Sequence, residues 1–374
     1  IAYVASGSTP DKTCFVENGV PYIKMYNLRN QKIDFAYHPQ YITEEVHNGK
    51  LQRSRTEVGD LIMNIVGPPL GKLAIIPTTL PQANFNQAAV LIRPYKFKEV
   101  LVSYLKVYLE EMSEINSIAT RGSAGQVNIS LTQSQNMRIP LPPLNEVRRI
   151  IEEVSKYDIL IDSLKQNITD IQNLIAYTKS KILDLAIHGK LVPQDPNDEP
   201  AIELLKRINP DFTPCDNGHY TQLPEGWAIC KMKQITSITN GKSQKNVETL
   251  NGIYPIYGSG GVIGRANQYL CIAGSTIIGR KGTINNPIFV EEHFWNVDTA
   301  FGLKANDAIL DKYLYYFCLS FDFSKLDKST AMPSLTKTSI GNVLIPIPPY
   351  KEQERIVAKI DMVLDTMNEI LRAV

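Results

Sequence analysis

The sequence of 374 residues lacks the features that mark several common classes of protein. Its five cysteines are scattered and none forms a CxxC pair, which argues against a disulfide framework and against a cysteine zinc site. No run of about eighteen apolar residues occurs, so no transmembrane helix is predicted, and no signal peptide is found. These absences favour a cytoplasmic chain of two or three globular domains, without a membrane partner.

Motifs of catalysis are also missing. The run Gly-Ser-Gly-Gly-Val-Ile-Gly at residues 258–264 fails the GxGxxG spacing, since Ile263 stands where the last glycine should be. Residues 285–289, Asn-Asn-Pro-Ile-Phe, are similar to the Asn-Pro-Pro-Phe motif of amino-methyltransferases but lack the second proline. The five histidines form no metal-ligand spacing. The sequence therefore predicts a non-catalytic chain that binds no cofactor and no metal itself.

A long helix with an apolar seam is present instead. From Ile150 onward, apolar residues recur in alternating steps of four and three, and neither Pro nor Gly interrupts the pattern before Gly189. A strict seven-residue period is typical of a coiled coil, and the segment predicts a helix of roughly 60 Å. The members of this first seam are Ile150, Val154, Tyr157, Ile161, Leu164, Ile168, Ile171 and Ile175.

A second seam lies near the C-terminus. It consists of Ile356, Ile360, Val363, Met367 and Ile370, each 206 positions after a member of the first seam. The proline-rich entry is repeated as well, since Ile-Pro-Leu-Pro-Pro at 139–143 matches Ile-Pro-Ile-Pro-Pro at 345–349. The chain is therefore predicted to be a duplicated unit whose two long helices pack antiparallel and bury both seams, about a pseudo-two-fold axis.

Short strands with one helix recur before each long helix, which indicates an α+β protein with two similar mixed α/β domains. The turn at Gly7 matches that at Gly241, the strand after Gly59 matches that after Gly274, and Leu131 is aligned with Leu335. The predicted segments are residues 1–144 (first domain), 145–188 (central helix), 189–222 (linker with a short helix), 223–349 (second domain) and 350–374 (second helix). We expect the natural chain to extend beyond both ends, because it starts with Ile1 and its second helix is short.

The net charge of +1 conceals a segregation of charge. Residues 1–144 and 226–349 carry net charges of +3 and +4, whereas residues 145–225 and 350–374 carry −5 and −1. Two basic modules on an acidic scaffold favour the binding of a polyanion such as DNA by each module. Basic and amide side chains grip phosphates or read bases. The predicted DNA contacts are Lys24, Asn27, Arg53, Arg55, Lys72, Arg121 and Gln126 in the first domain, and Lys242, Gln244, Lys245, Ser259, Arg265, Arg280, Lys281, Asn285, Lys328 and Lys337 in the second.

The whole chain resembles the specificity subunit of type I restriction–modification enzymes. The resemblance rests on the two proline-rich entries, on the blocks at 185–201 and 223–227, and on Lys-Glu-Gln-Glu-Arg-Ile at 351–356. It implies two target recognition domains that read a bipartite site on double-stranded DNA. It also implies two modification (methyltransferase) subunits docked on the helices and restriction subunits that translocate and cleave, with S-adenosylmethionine, ATP and Mg²⁺ on those partner subunits.

A different class of protein also fits the pattern of two modules on paired helices. A coiled-coil adaptor with two protein-binding domains would show the same repeat without any role in DNA binding. Salt dependence discriminates between the two, because DNA binding through backbone phosphates weakens steeply with salt.

Overall fold

The computed structural model describes residues 1–67, 69–121, 127–216, 220, 222–327 and 334–373, with Arg121 described by its backbone alone. It divides into two compact units, Ile1–Leu164 and Lys165–Val374. One long helix, α5 (Leu144–Ile187), begins in the first unit and ends in the second. Of the helices described, none is long and apolar enough to cross a membrane.

The first unit is built mainly from short strands. These are β1 (Ala2–Ser6), β2 (Phe15–Val16), β3 (Val20–Ile23), β4 (Leu28–Arg29), β5 (Lys32–Ile33), β6 (Tyr41–Ile42), β7 (Leu61–Asn64), β8 (Leu73–Ile75), β9 (Asn84–Phe85), β10 (Ala89–Pro94), β11 (Thr120–Arg121) and β12 (Val127–Asn128). Its helices before α5 are α1 (Glu44–Asn48), α2 (Lys98–Glu110), α3 (Ser113–Ile118) and α4 (Leu131–Gln135).

Two sheets organise the first unit. The main sheet is antiparallel, in the order β1-β10-β7-β8, and the second has the order β2-β6-β3-β9 with β3 and β9 parallel. Apolar side chains of the main sheet and of α2, among them Leu61, Val90 and Leu105, form one buried cluster. The apolar residues of α2 recur at helical spacing, so one side of the helix covers the sheet.

The second unit repeats this plan with additional elements. Its strands are β13 (Ala228–Lys231), β14 (Thr236–Asn240), β15 (Tyr254–Gly258), β16 (Gly261–Ala266), β17 (Ser275–Gly279), β18 (Ile288–Val290), β19 (Trp295–Asn296), β20 (Ala300–Ala305) and β21 (Leu344–Ile347). Its helices after α5 are α6 (Ala201–Ile208), α7 (Met232–Ile235), α8 (Asp311–Ser320), α9 (Lys337–Gly341) and α10 (Tyr350–Ala373).

The strand order confirms the predicted internal repeat. The main sheet of the second unit runs β14-β20-β17-β18 and is antiparallel throughout, as β1-β10-β7-β8 is in the first. The second sheet runs β16-β15-β19, and β15 pairs parallel to β19 as β3 pairs to β9. Helix α8 follows β20 in the second unit as α2 follows β10 in the first. The protein is thus an α+β chain with two similar domains.

One part of the predicted alignment between the repeats is wrong. The backbone N–H of Leu335 donates to Arg280, and the equivalent bond in the first unit comes from Ile129, not from Leu131. The helix caps agree with this shift, because Ser130 caps α4 and Thr336 caps α9. The matching residues therefore lie 206 positions apart here, as in the seams, and not 204. Similar short side chains in both segments concealed the difference in the sequence.

Within the second unit, the last part of α5 and helix α10 run antiparallel. Lys179 Nζ lies 3.5 Å from Asn368 Oδ1, and fifteen residues further along the chain, in the segment that follows α5, Gln194 Nε2 donates to Glu352 Oε1 over 2.8 Å. Contacts that move forward along one segment therefore move backward along the other. This is the packing direction that the repeated seams predict for the two long helices.

A polar network fastens the block after α5 to the start of α10. The carboxylate of Glu352 is almost fully buried and accepts bonds from Gln194 Nε2 and from Trp227 Nε1 at 3.0 Å. Burial raises the pKa of Glu352, and the two donors lower it in part. Arg355, one turn along α10, pairs with Asp198 at 2.6 Å. A buried carboxylate requires such partners, because a buried charge without them is strongly destabilising.

The burial of the second seam predicts how its members differ in stability. Ile360 is fully buried in the main cluster of the second unit, whereas Ile370 is 43% exposed on the same helix. We expect Ile360→Ala to lower the free energy of unfolding by about 2–5 kcal/mol, because it leaves a cavity. Ile370→Ala should change it by no more than about 0.5 kcal/mol. Denaturant unfolding measures both, and equal effects would contradict the described packing.

Candidate nucleic-acid interface

Each unit turns sharply at the end of its first main strand. The N–H groups of Gly7 and Gly241 donate to Ala89 and Ala300 over 3.1 Å, and the next residues, Ser8 and Lys242, bond back to the segment before β10 or β20. A Cβ at Gly7 would lie 2.0 Å from a carbonyl oxygen, and one at Gly241 would lie 1.8 Å from another. Only glycine fits these two turns, which lead into the predicted basic loops.

In the second unit, three predicted DNA contacts come together at the end of β17. A Cβ at Gly279 would lie 3.1 Å from Ser259 Cβ, so the tip of the β15–β16 hairpin touches the end of β17. Arg280 and Lys281 follow at once, and Lys281 forms a β-bridge with Ser334. Ser259, Arg280 and Lys281 thus lie together and are here named the β17 cluster. Lys281 is exposed, whereas Ser259 and Arg280 are half-buried.

The remaining predicted contacts of the second unit lie elsewhere. Lys242, Gln244 and Lys245 follow the Gly241 turn, and both lysines are exposed. Arg265 lies at the far end of the β16 strand and donates to the Ile253 carbonyl over 3.2 Å. Lys337 is the first residue of α9 and is exposed. The predicted basic contacts of the second unit therefore lie at several separate places, and the members of the β17 cluster lie close together.

Asn285 has a structural role that the sequence did not predict. Its Nδ2 donates to Asp322 Oδ1 over 2.8 Å, and its Oδ1 accepts from the N–H of Phe323 over 2.7 Å. Both ends of the amide are thus bonded to the start of the short helix Phe323–Leu326, one to its N-cap Asp322 and one to its first residue. A bidentate contact to adenine needs both amide atoms, so Asn285 would have to release these two bonds to read a base.

Asn27 in the first unit is a correction of the sequence prediction. It is fully buried, its Nδ2 donates to the carbonyls of Asp34 and Tyr37, and its Oδ1 accepts from the N–H of Lys24. The side chain holds a turn together and presents no atom to a ligand. The prediction that Asn27 contacts DNA is therefore wrong. The guanidinium of Arg55 also forms hydrogen bonds within the domain, since it donates to His47 O and to Asn48 Oδ1.

Other predicted contacts of the first unit remain accessible. Arg53 is exposed and donates to Ser8 Oγ at 3.1 and 3.2 Å, which holds the guanidinium beside the Gly7 turn. The ammonium of Lys24 lies 5.5 Å from the centroid of the Phe15 ring. Lys72 is half-buried beside Asn64, whose Oδ1 accepts from its N–H. The side chains of Arg121, Gln126 and Lys328 lie outside the described residues.

The predicted seam of α5 is buried or half-buried toward its two ends and exposed in its middle. Ile175 is buried, Ile150, Val154, Ile168 and Ile171 are half-buried, and Tyr157, Ile161 and Leu164 are exposed. On α10, Ile356, Ile360 and Met367 are buried, Val363 is half-buried and Ile370 is exposed. The role of the exposed members as an interface stays a prediction.

Two observations on the described residues bear on metal binding and on cysteine reactivity. Among these residues, His, Cys, Asp and Glu form no cluster that would hold a metal ion. Burial raises the pKa of Cys230 and of Cys271 to about 12, so both thiols are protonated at neutral pH and are poor nucleophiles. The chemistry of the accessible loops is that of hydrogen bonding and charge, which is the chemistry of recognition.

The sequence reasoning missed two residues at these loops. Ser8 was not singled out, although it accepts both hydrogen bonds of Arg53. Val66 occupies in the first unit the position of Lys281 in the second, as its β-bridge to Asn128 shows. The signal was available, because the offset of 215 positions that relates Gly59 to Gly274 also relates Val66 to Lys281.

Two copies of one domain, each with its own set of polar loops, define a recognition protein with two binding surfaces. The chain belongs to the family described as the type I restriction modification DNA specificity domain, whose model matches residues 1–173 and 224–374. It is 25% identical over 338 residues to the type I restriction enzyme EcoAI specificity subunit of Escherichia coli. That match covers 67% of this chain and 57% of the relative, so the chain spans little more than half of that relative's length.

Solved structures agree on the fold. The HsdS subunit from Thermoanaerobacter tengcongensis matches all of this chain and 88% of its own, with a TM-score of 0.61 at 18% identity. A chain from a structure of the assembly and conformational transition of the type I R-M system matches with a TM-score of 0.64 at 19% identity. This match covers all of the present chain and 92% of the solved chain. The duplicated α+β fold is therefore that of this family.

Proposed function

We propose that this chain is the DNA-recognition subunit of a type I restriction–modification complex and reads a bipartite site, one half with each domain. The observation that carries the proposal is the repetition of one backbone plan with different side chains at equivalent loop positions. A conserved scaffold with divergent loops is expected where each copy recognises a different sequence. The net charges of +3 and +4 on the two domain segments suit a polyanion.

The proposal includes partner subunits that carry the chemistry. Two modification subunits would dock on the long helices, and restriction subunits would join them in the cytoplasm. S-adenosylmethionine, ATP and Mg²⁺ would be bound by those partners. Support comes from the fold shared with a chain from a type I assembly and from exposed apolar residues of α5, such as Tyr157 and Leu164. Nothing in the family relationship favours the adaptor without a DNA role.

The division of labour is directly testable. The purified chain, incubated with labelled S-adenosylmethionine and DNA, is expected to transfer no label, because its sequence contains no cofactor-binding glycine motif. The same chain assembled with modification subunits should methylate specific sites. Label transfer is measured by scintillation counting, and methylated positions by sequencing. Robust transfer by the chain alone would refute the proposal, as would an assembled complex that methylates without regard to sequence.

A further inference from the structure

The residues after β7 and β17 occupy equivalent backbone positions in the two units. The N–H of Ile65 donates to Ala88 over 2.8 Å, and the N–H of Arg280 donates to Thr299 over 2.7 Å. The carbonyls of the same two residues accept from Ile129 and Leu335, at 2.9 and 2.8 Å. Two matched hydrogen bonds on each residue fix the correspondence without reference to side chains.

The side chains at this first position both pack on the main sheet. Ile65 is buried in one cluster with Val90 of β10. The guanidinium of Arg280 lies 5.8 Å from the ring centroid of Phe301, the residue of β20 that matches Val90. An arginine can cover an aromatic ring with its stem and guanidinium plane. Arg280 thus replaces a packing residue, and its position is held by Phe301.

The next position differs in charge and is accessible in both units. Lys281 is exposed, and its ammonium has no hydrogen-bond or ion-pair partner within the described part of the chain. Val66 is 38% exposed at the matching place. Each forms a β-bridge, Lys281 to Ser334 and Val66 to Asn128. In the sequence, the predicted DNA contacts Lys328 and Gln126 precede these partners by six and two positions.

We infer that Lys281 and Val66 occupy the same DNA-facing position of the duplicated fold, where the second domain binds a phosphate and the first makes an apolar contact. This inference rests on the proposed function and specifies its chemistry. A lysine near a phosphate acts as a point charge and releases a bound counterion from the DNA. A valine releases none, and its methyl groups suit an apolar surface such as the thymine methyl group or a sugar face. At this position, therefore, the second domain alone contributes to the salt dependence of binding.

The test measures the salt dependence of DNA affinity with the chain assembled with its modification subunits. The probe is a duplex that carries the methylated site, titrated between about 50 and 200 mM salt, where phosphate contacts change affinity strongly. Lys281→Val should reduce the slope of log K against log salt by about 0.9, and Lys281→Gln should do the same. Lys281→Arg should retain the wild-type slope. Val66→Lys should steepen it by about 0.9.

Lys190→Val is the matched control, because Lys190 is an exposed lysine beyond the end of α5, outside both domain segments. Its slope should equal that of the wild type. Thermal unfolding shows whether each variant is folded, and Lys281→Gln replaces Lys281→Val if the latter is not. A wild-type slope for both neutral Lys281 variants would overturn the inference while leaving the proposed function intact. A wild-type complex that binds DNA without salt dependence would instead refute the proposed function.

Discussion

Exchanging residues 226–337 for the matching segment of a relative is expected to replace the recognised bases in one half of the DNA site and to leave the other half unchanged. The physical reason is that the two sheets β14-β20-β17-β18 and β16-β15-β19, and two of the buried clusters of the second domain, lie entirely within the exchanged segment. Its loops are therefore positioned by side chains that travel with the exchanged segment. Sequencing of methylated positions in cells that carry the chimera measures the result directly.

The reciprocal exchange is the matched control. Replacing residues 1–137 in the same way should change the other half-site alone, since the main cluster of that domain lies mostly within those residues. Each chimera should methylate about as many sites as the parent, at new positions. A change of both half-sites in either chimera would show that the domains do not read DNA independently.

Replacing Gly241 by alanine is expected to destabilise the second unit by about 3 kcal/mol or more. The added Cβ would lie 1.8 Å from the carbonyl oxygen of Val297 and 2.9 Å from that of Ala300. Both obstacles are backbone atoms next to β20, so relief requires the sheet itself to move. Gly7→Ala should have a comparable effect on the first unit, because its Cβ would lie 2.0 Å from the carbonyl oxygen of Asn86.

Gly260 provides the matched control in the same domain. An added Cβ there has no atom within 4 Å, so Gly260→Ala should change the free energy of unfolding by no more than about 0.5 kcal/mol. Denaturant titration followed by circular dichroism measures the three variants. If the Gly241→Ala variant were as stable as the Gly260→Ala variant, the turn at Gly241 would not be as tight as described.

The sequence by itself determined the repeat, the class of fold and the long helix. A helical seam is a local property, because its period follows from 3.6 residues per turn and needs no distant partner. The short helix predicted in the linker is present at Ala201–Ile208, where a proline precedes it. The two glycine turns were also visible, because Gly7 and Gly241 recur at the same place in the repeat.

Only the tertiary structure decided which polar side chains are free. Asn27 and Asn285 look like Lys281 in the sequence, as polar residues in loops, yet their partners lie up to 38 positions away. A loop side chain forms hydrogen bonds within the fold only where a segment distant in the sequence packs beside it. Loop lengths determine which segment that is. The equivalence of Val66 and Lys281 required the same information, since matching hydrogen bonds identify a shared position where side-chain chemistry has diverged.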